Sequence, residues 1–115
     1  MRERKIKVVT SELGRKKNDI MKIYISGKIT GTTDYIQRFE RAEKALSKYI
    51  VINPAKVNSQ LPKETTWNEY MQMSFVMLKM CNTKYMLKGW EDSKGANLEY
   101  EFARSHNYKI IFESD

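Results

Sequence analysis

Beyond residue 20 the sequence alternates short apolar runs with longer amphipathic stretches. The order is strand, helix, strand, helix, strand, helix, strand. That order predicts an α/β fold in three layers, with a mainly parallel sheet of four or five strands between helices. The punctuation agrees. Gly27 follows the first apolar run and Asn53-Pro54 follows the second, both turn-forming signals. The length agrees as well: 115 residues make one domain, and 41% hydrophobic content supplies one core.

Residues 1–20 read as a basic arm. They carry a net charge of +4 out of the total +7. Ile6, Val8 and Val9 suit a short extra strand, and Arg15-Lys16-Lys17 is a charge run. Its simplest reading is a solvated tail; contact with nucleic acid is the alternative. The domain proper runs from 21 to 115. Residues 22–26 (KIYIS) form its first strand, followed by a glycine-containing loop at 27–33. Residues 34–48 make a helix whose apolar stripe is Tyr35, Phe39, Ala42 and Leu46. Residues 49–52 (YIVI) form the second strand, and a polar loop extends to residue 66. The longest helix covers 67–81, with Trp67, Met71, Ser74, Leu78 and Cys81 on one face. Residues 83–87 (TKYML), 93–105 and 108–112 (YKIIF) complete the set as strand, helix and strand. The arrangement is a flavodoxin/Rossmann-like sandwich, in which ligands bind beyond the C-terminal ends of the strands. Here those ends are the loops after Ser26, Ile52 and Leu87.

Composition removes several function classes. No apolar run reaches the ~18 residues of a membrane span, and the N-terminus is charged rather than signal-like. The single Cys81 and single His106 leave no internal disulfide and no Cys/His zinc site. Neither a metal nor a redox cofactor is implied, and the expected setting is a reduced cytoplasm.

Three features do not fit pure packing. Ser74 interrupts an apolar stripe; a small core residue bonded to the preceding turn is the ordinary explanation. Glu99 shares a stripe with Ala96 and Ala103. Read alone it suits a surface glutamate, but a carboxylate on an inner face needs partners or a task. Ser93 is placed to cap the last helix, and Gly95 in its first turn suggests a close approach to the backbone. Free N–H groups at that helix start favour an anion.

Tyr24-Ile25-Ser26-Gly27, the polar position on the long helix, and Ser93-Lys94-Gly95-Ala96-Asn97-Leu98-Glu99 together resemble the nucleoside 2-deoxyribosyltransferase superfamily. The motifs Gly27-x-Ile29-x-Gly31 and Ser93-x-Gly95-x-x-x-Glu99 look most like its 2'-deoxynucleoside 5'-monophosphate N-hydrolase branch. Gly27-Lys28-Ile29-Thr30-Gly31, Asn53-Pro54-Ala55, Gly89-Trp90 and Ser93-Lys94-Gly95-Ala96 are similar to a small bacterial and phage group within that superfamily. The resemblance covers residues 21–113.

It implies Glu99 as a nucleophile that attacks the anomeric carbon of a nucleotide or nucleoside, with Tyr24 beside it. It implies ligand contacts from Ser26, Gly27, Lys28, Ile29 and Gly31 on the first loop. Ser93, Gly95 and Ala96 would lie at the phosphate, with Asn53, Ser74 and Trp90 around the pocket. It further implies a homodimer or larger homo-oligomer, for which Trp67, Tyr70 and the methionines could form the interface. Three positions depart from the superfamily pattern. Ser74 and Asn82 stand where aspartates are usual, and Glu101 where a glycine is usual. The loss of the carboxylate at Ser74 makes a non-catalytic binder of a nucleotide or nucleotide-derived signal the alternative expectation.

Overall fold

The computed structural model describes residues 6–9 and 20–114. Its elements are β1 (Ile6–Val9), β2 (Lys22–Ser26), α1 (Tyr35–Ala45), β3 (Ile50–Ile52), α2 (Pro54–Asn58), α3 (Trp67–Lys79), β4 (Thr83–Met86), a 3-10 turn (Trp90–Asp92), α4 (Lys94–Ser105) and β5 (Lys109–Glu113). The sheet order is β1-β5-β4-β2-β3. Strands β5, β4, β2 and β3 are all parallel, and β1 adds an antiparallel edge against β5. The expected α/β sandwich is therefore present.

The alternation of side chains along each strand explains the layers. Ile23 and Ile25 of β2, Tyr85 of β4 and Ile111 of β5 face one side. There they bury Phe39, Ala42 and Leu46 of the α1 region and Ala55 of α2. Tyr24 of β2 faces the other side, against Met77 and Leu78 of α3 and Cys81. Met86 and Ile110 on that side meet Ala103 of α4. Both faces of the sheet are thus covered, as parallel strands require.

Helix ends follow from local chemistry. Thr66 and Glu69 form a reciprocal capping box at the start of α3. The Ser93 hydroxyl accepts the Ala96 N–H at the start of α4. The first helix stops at Ala45 rather than continuing to 48; Leu46 closes it and turns the chain towards β3. The supposed polar loop after residue 52 contains α2. Asn53 caps it through a bond from the Lys56 N–H, and Pro54 opens it. At five residues α2 is too short to show a helical period. Asn82 is a clasp: its side chain accepts the Lys22 N–H and donates to the Ile20 carbonyl. Glu101 is exposed and pairs with Arg104 one turn on. Among the described residues no helix is long and apolar enough to cross a membrane, and no group of three metal-ligating side chains occurs.

Candidate functional site

A cavity of about 850 Å³ opens at the C-terminal edge of β2. Its floor is the end of β2 and the loop that follows. Its walls come from α1, α2 and the loop behind it, α3, and the first turns of α4. Gly27 lets the floor close: a Cβ there would stand 2.8 Å from Leu87 Cδ1. Gly95 does the same for the wall. A Cβ there would meet Met71 Sδ at 2.9 Å, so the close neighbour expected of Gly95 is α3.

Glu99 lies in the cavity wall, 6% exposed. The geometry overturns the surface reading of that residue. The Tyr24 hydroxyl donates to Oε2 at 2.6 Å and the Ser26 hydroxyl to Oε1 at 2.8 Å. The Lys84 ammonium sits 3.7 Å from Oε1, at ion-pair distance but too far for a hydrogen bond. Tyr24 and Lys84 occupy paired positions on adjacent strands, and one turn of strand carries Ser26 to the same face as Tyr24. The sheet therefore presents a phenol, a hydroxyl and an ammonium to one carboxylate.

Hydrogen bonding in this cluster has a direction. An ionised carboxylate only accepts, so Tyr24 must donate to it. The Ser74 hydroxyl near the phenol by itself favours the ionised form of Tyr24. Ser74 Oγ in turn accepts from Asn58 Nδ2 at 3.2 Å. Ser74 is thus not bonded only within its own helix; it links α2 to the site. Asn58 Oδ1 is buried without a partner among the described residues. Burial, and next the Glu99 charge, raise the Tyr24 pKa well above its ordinary value, so the phenol keeps its proton. Burial lowers Lys84 to about 8, against the opposing pull of Glu99. Cys81, behind Tyr24, is pushed up to about 11 by burial.

Most of the expected residues meet here. Tyr24, Ser26, Gly27, Lys28, Ile29, Ser74, Ser93, Gly95, Ala96 and Glu99 all line the cavity. Gly31, Asn53 and Trp90 do not. Gly31 supplies a left-handed turn (φ 81°) in the loop. Asn53 caps α2 and donates to Glu43. Trp90 packs its ring on Tyr100, 4.8 Å between centroids, and on Phe112. Trp67 and Tyr70, expected at an interface, line the cavity. Lys94 lies 4.9 Å above the Trp67 ring. Sequence reasoning passed over Lys84, Asn58 and Lys63. A lysine in the middle of a central strand was the available signal for the first.

A family model described as "Domain of unknown function (DUF4406)" matches residues 21–112. No curated protein and no solved structure matches the chain.

Proposed function

The chain belongs to the DUF4406 family, a membership that names no activity, and from the geometry of its site we propose that it cleaves or transfers the N-glycosidic bond of a nucleotide or nucleoside. The observation that carries this reading is Glu99: a buried carboxylate on a cavity wall, oriented through both oxygens by Tyr24 and Ser26. In the proposed reaction a Glu99 oxygen bonds to the anomeric carbon as the bond from carbon to base nitrogen breaks. The electron pair leaves on the base, which takes up a proton. Water, or a second base, then attacks the anomeric carbon and Glu99 departs as carboxylate, with net retention. Tyr24 holds the attacking group in place and keeps its own proton throughout.

The rest of the cavity suits such a ligand. The α4 start supplies N–H groups for a phosphate, and Lys28, Lys63 and Lys94 of the cavity lining supply positive charge. Tyr35, Phe39, Trp67 and Tyr70 supply faces for a base. The experiment is an incubation with a panel of nucleosides and 5'-mononucleotides, read by chromatography for free base. Wild-type protein releases base from at least one member, and Glu99→Ala lowers that rate by roughly a thousand-fold. Release from no member of the panel rejects the reaction.

One observation favours a second reading, a non-catalytic nucleotide binder. Both Glu99 oxygens already hold hydrogen bonds, which lowers their nucleophilicity, and Ser74 brings no carboxylate to the sugar. That reading expects thermal stabilisation by a ligand recovered intact. We further propose a cytoplasmic homo-oligomer. Met73 and Val76 of α3 and Met80 at its C-cap are exposed apolar side chains, as is Leu98 of α4, and light scattering at about 14 kDa only would contradict it.

A further inference from the structure

Lys84 stands at the centre of the sheet, on β4 between β2 and β5. It is 0% exposed. A lysine near a sheet edge can run its ammonium out to water; this one, wholly buried on an inner strand, cannot. Among the described residues no hydrogen-bond acceptor satisfies its ammonium. Two features face it: Glu99 Oε1 at 3.7 Å and the Tyr24 ring, 5.3 Å from its centroid. An isolated ammonium in such a place is costly to desolvate, so a neutral side chain would be the easier choice for packing alone.

The pair is asymmetric. Glu99 obtains its hydrogen bonds from Tyr24 and Ser26 and needs none from Lys84. What Lys84 adds is charge. It is also absent from the cavity lining, so it does not meet a ligand and acts only through Glu99. The other groups facing Glu99 are the phenol of Tyr24 and the hydroxyl of Ser26 from β2, with Ser74 of α3 behind the phenol. Among the described residues, Lys84 is the one cation within ion-pair distance of that carboxylate.

We propose that Lys84 is a positioning residue for Glu99: a buried positive charge, paired with this one carboxylate, that favours the free carboxylate over its sugar ester after each covalent turnover. The proposal rests on the reading of Glu99 given above. When Glu99 is esterified to the sugar it carries no charge, and the ammonium is left alone in an apolar layer. Hydrolysis or transfer restores the carboxylate and, with it, the pair. The ester is thereby raised in energy relative to the free enzyme, and its lifetime shortened. The depressed Lys84 pKa, caused by burial and held up by Glu99, agrees with a cation whose charge depends on this one partner.

The test needs no substrate. Protein labelled at the lysine ε-carbons is titrated by NMR, with the Lys84 signal assigned by its loss in Lys84→Met. In Glu99→Gln, an isosteric change, the Lys84 midpoint is expected to fall by about one unit or more. A Lys84 midpoint that stays put in Glu99→Gln overturns the proposal, since a merely structural lysine would leave it there. Absence of base release in the panel assay would reject the reaction while leaving this coupling measurable. Absence of coupling would reject the role of Lys84 whatever the panel shows.

Discussion

Gly27→Ala is a one-carbon change at the floor of the cavity. The added Cβ would lie 2.8 Å from Leu87 Cδ1 and 2.9 Å from Leu87 Cβ. A rotamer change can move the first atom but not the second, which is fixed to the backbone. That backbone cannot retreat cheaply, because the Leu87 N–H donates to the Ser26 carbonyl at 2.8 Å. Leu87 itself is 1% exposed and packed in the α1-side core. Overpacking of this kind costs about 1–3 kcal/mol. At roughly 4 °C per kcal/mol for a domain of this size, the melting temperature falls by roughly 4–12 °C. Thermal unfolding followed by circular dichroism reads the shift. Leu87→Ala as a second change removes Cδ1 and keeps Cβ, so the double-mutant cycle is expected to show partial relief only. A fall of less than about 1 °C, or complete relief by Leu87→Ala, would refute the argument from a backbone-anchored contact.

Three further outcomes are expected. Ser74→Ala leaves the buried Asn58 amide without its acceptor; urea unfolding should show a loss of about 1–3 kcal/mol. Thr66→Ala removes one half of the α3 capping box, for about 1 kcal/mol by the same assay, and an unchanged midpoint would mean the helix start is held by packing instead. The third concerns alkaline pH. Cys81 is raised from 9.0 to about 11 in the fold, so the unfolded chain loses that proton first and stability declines from pH 9 to about 11. Lys84 is lowered from 10.5 to about 8, so the unfolded chain binds the extra proton and stability rises between those values. The two oppose each other in the wild type above pH 9. In Cys81→Ala the denaturation midpoint should therefore climb between pH 8 and 10, with a limiting slope of about 1.4 kcal/mol per pH unit. A falling midpoint there would contradict the Lys84 environment described above.

The layers and the parallel strands were legible because the apolar runs of 22–26, 83–87 and 108–112 are short and separated by long amphipathic stretches. What stayed hidden was α2, whose five residues carry one cap and no period. The burial of the carboxylate was not legible from Ala96 and Ala103 alone, which left Glu99 a surface residue; only the family resemblance marked it, and its partners stayed hidden. Tyr24, Ser26 and Lys84 reach it from strands 73 to 75 residues away in the case of the first two, and sequence offers no measure of such distances. Lys84 was readable only as an anomaly, a charge inside a strand that both neighbouring strands would bury. Asn53 and Trp90 fell in recognisable motifs, yet the motifs serve a helix cap and an aromatic cluster. Motif membership and contact with the cavity are different properties of a residue.

The strand order also bears on how the chain is born. Every parallel neighbour in β5-β4-β2-β3 is reached by a crossover, and the clasp between Lys22 and Asn82 spans 60 residues. Non-local closures of this sort slow folding, since loop entropy is spent before any contact rewards it. During synthesis β2 and β3 can pair early, but β4 must arrive before Tyr24 gains a neighbour on its other side. Glu99 arrives later still, on α4. A nascent chain therefore holds no assembled site until α4 has left the ribosome, and the cavity is among the last features of the fold to form.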